Sequence, residues 1–168
     1  LCFGSFTGPL QAQLLEANSD FDRSDSLRGA LRPERTCYDV TFYHLDIRVD
    51  PEARAIEGSN RIVYRATEDF ERLQIDLFEN MRISKILTGN GEEASFTREG
   101  NAVWVNLPFT QKKNLTGEIT VHYGGKPIVA KRAPWDGGFT WEKEQEGNHW
   151  IGVSCEGIGA SQIGRAHV

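Results

Sequence analysis

The chain has little cysteine. Cys2, Cys37 and Cys155 are the only three in 168 residues, and no two stand at the C-x-x-C spacing that builds zinc or thiol-redox sites. A Cys37–Cys155 disulfide and a pair of free thiols are both compatible with this sequence. A basic stripe is also missing. Nineteen Lys and Arg are scattered among 24 Asp and Glu, for a net charge of −5, so nothing is arranged to neutralise phosphates and a nucleic-acid partner is excluded. With 39 % hydrophobic and 26 % charged residues, the composition is that of a globular chain, neither disordered nor membrane-spanning, and no transmembrane segment is present. The length fits one domain. There is no internal repeat, no glycine-rich phosphate loop, and no helix-period stretch longer than a few turns after residue 36.

Catalytic sets are absent as well. His44 and His122 fall on the polar parity of strands, His149 lies in a turn beside Gly147-Asn148, and His167 is at the C-terminus. No two have the i, i+4 spacing of a helical ligand pair, so a zinc site built from this chain alone is not expected. Ser154 lacks the G-x-S-x-G elbow of a serine nucleophile, and Cys155 with His149 does not make a thiol-protease set.

What the chain does have is alternation. In Tyr38–Asp50, Tyr43, Leu45, Ile47 and Val49 alternate with His44, Asp46, Arg48 and Asp50, while Tyr38, Val40 and Phe42 run on the opposite parity. The switch at Phe42–Tyr43 predicts a bulge, or burial of both faces. After the Pro51-Glu52 turn a second strand covers Ala55–Ala66, with Gly58 marking a bend. Further strands are expected over Arg72–Phe78, Ile83–Leu87, Ala94–Arg98, Ala102–Leu107 and Leu115–Tyr123. Thr88-Gly89-Asn90-Gly91 and Glu99-Gly100-Asn101 serve as hairpin turns, and 108–114 is read as a loop. Short strands at even spacing with Gly and Pro turns mean an all-β fold, an antiparallel sandwich. The apolar stripes predict one sandwich over 36–125 with Tyr43, Leu45, Ile47, Ile62, Leu73, Ile75, Leu77, Val103, Val105, Ile119 and Val121 inside.

The ends differ in kind. Residues 1–13 are apolar, small and uncharged, and read as the remnant of a secretory signal peptide, which implies export; a frayed apolar N-terminus is the other reading. Residues 14–35 form a polar arm, a short helix or an extended segment closed by Pro33. The stretch 135–161 holds three of the four tryptophans, Trp135, Trp141 and Trp150, together with Gly137-Gly138, Gly157 and Gly159. It is read either as a glycine-rich hairpin or as a binding loop.

Two segments carry a family resemblance. YDVTFYHLDIRVDPEARAIEGSNRIVYRA resembles the opening strand pair of the aminopeptidase N family of zinc peptidases, through Tyr38, Val40, Tyr43, Leu45, Ile47, Ile56 and Gly58. ERLQIDLFENMRISKI is similar to the following strand pair. HYGGKP and the 135–161 segment are similar to the end of the family's first domain, in a bacterial subgroup close to leukotriene hydrolase. The resemblance runs from about Cys37 to Ser161. It implies a saddle-like antiparallel β-sandwich over 36–161 that forms one wall of an active-site cleft. It places Ser154-Cys155-Glu156 where the family has a Gln-x-(Glu/Gln) triplet. Glu156 would then bind the free α-amine of a peptide substrate, with Ser154, Cys155 and Gly157 beside it. Ser154 stands where the family usually has Gln.

The same resemblance implies a Zn²⁺ cofactor held by a catalytic domain that this sequence does not reach, because H-E-x-x-H, the downstream glutamate, the Gly-x-Met-Glu-Asn strand and the catalytic tyrosine are not in it. That domain would be the chain's own partner, and the chain alone is expected to be inactive. Residues 162–168 match nothing in the family and are read as a non-native tail. Two other readings stand beside this one. One is a non-catalytic module that docks glycan or protein on Trp135, Trp141 and Trp150; the other is a structural sandwich of an envelope protein.

Overall fold

The computed structural model describes residues 22–155. Residues 1–13, read above as a signal-peptide remnant, the first part of the 14–35 arm, Glu156, Gly157 and residues 162–168, read as a tail, lie outside the described residues. Two short helices, α1 (Arg23–Gly29) and α2 (Pro33–Thr36), precede nine strands. These are β1 (Tyr38–Asp50), β2 (Ala55–Ala66), β3 (Phe70–Asp76), β4 (Met81–Thr88), β5 (Ser95–Glu99), β6 (Ala102–Gln111), β7 (Thr116–Gly125), β8 (Gly138–Lys143) and β9 (His149–Ser154). All named strand pairings are antiparallel. They form a four-stranded sheet in the order β1-β2-β7-β4, a three-stranded sheet β3-β6-β5, and a separate β8-β9 hairpin. The all-β reading is correct.

Alternation builds the core. On β2, Ile56, Asn60, Ile62, Tyr64 and Ala66 are buried, and the facing β7 contributes Ile119, Val121 and Tyr123. Leu73 and Ile75 of β3 and Val103, Val105 and Leu107 of β6 close the cluster from the second sheet. Tyr38 lies edge-on to Tyr64 with ring centroids 5.4 Å apart, and its hydroxyl donates to the Gln74 carbonyl at 2.6 Å, tying β1 of one sheet to β3 of the other.

Several expectations need correcting. The register shift in β1 falls between Val40 and Phe42, one residue before the expected bulge, and it keeps Tyr43, Leu45, Ile47 and Val49 in the same rows as the buried β2 residues. Yet Leu45 is 40 % exposed, and Tyr43 and Ile47 are only half-buried. β1 is the outermost strand of the wider sheet, and the narrower three-stranded sheet covers its inner face only in part. The 108–114 loop is shorter than expected because β6 runs through Pro108 to Gln111. Pro33 does not close the arm; it opens α2, where its missing N–H costs nothing and its fixed φ suits a first turn. The thiols of Cys37 and Cys155 are both free, Cys37 buried and Cys155 exposed. Desolvation pushes the Cys37 thiol up to about 12.

The arm is part of the fold. Asp22 caps α1 by accepting from the Asp25 amide at 2.9 Å, and Leu27 is buried against Ala102 and Trp104. That packing covers the outer face of the small sheet, so Gln74 and Asp76 of β3 are buried on the side that alternation assigns to solvent.

One core position is anomalous. Asn60 is fully buried between Leu45 and Val121, and neither its side-chain oxygen nor its nitrogen meets a protein partner. An unpaired buried amide costs about 1–3 kcal/mol. Asn60→Leu, similar in shape, is therefore expected to raise stability by roughly that amount, read as a higher urea midpoint at unchanged m-value. A lower midpoint would mean that the amide is satisfied, for instance by an internal water.

Candidate functional site

The segment following β7 is built around the hairpin. Backbone bonds from Phe139 N to the Ile128 carbonyl (2.7 Å) and from Ala130 N to the Phe139 carbonyl (3.0 Å) fasten its base to the incoming chain. Gly138 makes that approach work: its φ is +138°, and a Cβ there would sit 2.6 Å from the Ile128 oxygen. The two strands pair Phe139 with Val153, Trp141 with Ile151 and Lys143 with His149 on one face. Phe139 is buried in the core and stacks on Trp141 at 5.2 Å, and Trp141 and Ile151 pack against the same cluster. Gly147, at φ +87°, shapes the 144–148 turn. The described part of 135–161 forms a hairpin.

The candidate residues divide at its end. The Ser154 hydroxyl donates to the Asp136 carbonyl at 2.6 Å and lies 3.3 Å from that of Gly138, so it closes the base of the hairpin. That contact gives Ser154 a structural task. Cys155 follows in the open. Glu156 and Gly157, the residues on which the amine-binding reading rests, lie outside the described residues. His149 is the first residue of β9 and not in the turn; its Nε2 donates to Glu52 Oε1 at 2.8 Å.

The three tryptophans do not make one platform. Trp141 faces the core, whereas Trp150 lies on the opposite face of the hairpin, where its ring would be 3.2 Å from a Cβ at Gly152. Trp135 is the most open of them, 75 % exposed. Sequence reasoning did not find the polar trough of about 800 Å³ on the outer face of the four-stranded sheet. It is lined by Asp46, Arg48, Glu57, Arg82 and His122 among others, and by none of the predicted site residues. The signal for it was the polar parity of Asp46, Arg48, Asp50 and His122. Among the described residues, no three His, Cys, Asp or Glu side chains converge as a metal site requires.

The class this geometry defines is a two-sheet antiparallel sandwich with an appended hairpin. No family model and no curated protein matches the chain. Solved structures do. A two-domain M1 zinc metallopeptidase determined with L-arginine bound is similar over 77 % of this chain and 30 % of its own, at 21 % identity and a TM-score of 0.56. An M1 zinc metallopeptidase from Deinococcus radiodurans is similar over 67 % of this chain and 27 % of its own, at 23 % identity and a TM-score of 0.52. Leukotriene A4 hydrolase from Saccharomyces cerevisiae is similar over 83 % of this chain and 24 % of its own, at 17 % identity and a TM-score of 0.57. The chain thus shares a fold with a part of these hydrolases, and it spans less than a third of their length.

Proposed function

We propose that this chain is the N-terminal β-domain of an exported zinc aminopeptidase of the M1 type, where it forms one wall of the substrate cleft. What carries the reading is the coincidence of a fold shared with M1 metallopeptidases and a β9 strand that ends at Ser154, two residues before an acid. In this reading the zinc is held by the catalytic domain, and the residues described here do not suit it. When bound there, zinc polarises the scissile carbonyl and activates water. This chain contributes Glu156, whose carboxylate at a partly dry rim would hold the α-ammonium of a peptide and so fix how many residues enter. Ser154 is left to hold the hairpin base, and the glycan-platform alternative is set aside because Trp141 is turned inward. Export follows from the reading of residues 1–13 as a signal-peptide remnant.

The test is Glu156→Ala in the zinc-replete parent enzyme. A charge-assisted hydrogen bond is worth roughly 1.5–3 kcal/mol, or about 10- to 150-fold in kcat/KM. The loss should fall on substrates with a free amine and spare N-acetylated ones. Glu156→Gln should lose less, and zinc content should stay the same. Unchanged turnover of free-amine substrates would return Glu156 to an ordinary solvated carboxylate.

A further inference from the structure

The β8-β9 hairpin pairs with no strand of either sheet. Its base is fixed by the Phe139 backbone bonds and by Ser154. Its far end is held differently. Side-chain polar contacts from both strands at that end reach Glu52, in the turn joining β1 to β2. His149 Nε2 donates to Glu52 Oε1 at 2.8 Å, and Lys143 Nζ lies 3.7 Å from the same oxygen. Lys143 and His149 face each other across the hairpin, so one carboxylate takes hold of both strands. The His149 hydrogen bond, and then the Lys143 charge, keep the Glu52 carboxyl below the usual glutamate range.

We propose that Glu52 is a positioning residue, a catch that holds the free end of the β8-β9 hairpin against the β1-β2 turn. It thereby sets the direction in which β9 delivers Ser154 and Cys155. A two-stranded hairpin alone is marginal in water, so this one is ordered by what it docks on. Phe139, Trp141 and Ile151 supply the apolar contact near the base, and Glu52 supplies the polar contact at the tip. The His149–Glu52 pair spans 97 positions in the sequence. The catch stands on this geometry alone; only its consequence for substrate rests on the role proposed for Glu156.

Amide hydrogen exchange on the 168-residue chain tests it. Glu52→Ala should speed exchange of the 139–153 amides by about 2- to 5-fold, the range set by exposed ion pairs. Glu52→Lys, which faces Lys143 with a like charge, should speed it further. Glu52→Gln keeps an acceptor for His149 and should remain near the parent. Amides of β2 and β7 should not change in any of the three. Equal exchange in all four proteins, or β2 and β7 amides rising in step with the hairpin, would overturn the catch. In the parent enzyme, Glu52→Ala should raise KM for free-amine peptides at unchanged kcat, and Glu52→Gln should restore it. If the exchange effect holds while KM does not move, the catch stands and its link to substrate is refuted.

Discussion

Gly58→Ala is expected to destabilise the domain by about 3 kcal/mol, the upper end of what overpacking usually costs. The reason is what a Cβ would meet: the Asp46 carbonyl oxygen at 1.9 Å and Ile47 Cα at 2.9 Å, both backbone atoms of β1. A flexible side chain could swing aside, but a backbone carbonyl inside a ladder cannot. β1 is paired only with β2, through twelve residue pairs from Tyr38↔Ala66 to Asp50↔Ala55, so the strain is relieved by β1 lifting off at its centre. Urea unfolding should show the midpoint falling, and limited proteolysis should find new cleavage within β1. A midpoint within the error of the parent would mean that β1 and β2 sit further apart than described. Gly58 is also the glycine of the Ile-x-Gly pattern that carries the family resemblance, and this close approach is a physical reason for that pattern.

Much of the fold was legible because alternation on an antiparallel strand reports a buried face directly. Ala55–Ala66 is β2 to the residue, and Ile62, Leu73, Ile75, Val103, Val105, Ile119 and Val121 are all in the core. Where alternation failed, the missing information lay elsewhere in the chain. Leu45 has the pattern of a core residue but stands on an edge strand whose cover depends on the width of the opposing sheet. Gln74, Asp76 and Trp104 have the pattern of an outer face but are buried, because Leu27 and its helix arrive from some fifty to eighty positions upstream. The candidate site was less legible. The contact that Ser154 makes with the Asp136 carbonyl joins positions eighteen apart, and no local pattern announces it. The joining of Glu52 to His149 has no local spacing at all, so no motif could announce it.

The second large effect concerns the arm. Arg35 Nη1 donates to Asp76 Oδ2 at 2.7 Å, and the two side chains are only 13 % and 9 % exposed. The other carboxylate oxygen accepts from Gln74 Nε2 at 3.1 Å, and that same nitrogen donates to the Leu27 carbonyl at 3.0 Å. The network therefore fastens α1 and α2 to β3 and keeps Leu27 over Ala102 and Trp104. Removing one member of such a pair leaves a charge that is out of water and unpaired. Arg35→Ala is thus expected to cost about 3–5 kcal/mol, and Asp76→Ala a similar amount. Replacing both with apolar residues removes the desolvation penalty along with the attraction, so Arg35→Met with Asp76→Leu should lie close to the parent. Denaturant unfolding of the four proteins measures this directly, and Trp104, uncovered when the arm detaches, should shift its emission to the red in Arg35→Ala. If the single losses simply add in the double variant, the two groups are not coupled, and the arm is held by Leu27 packing alone.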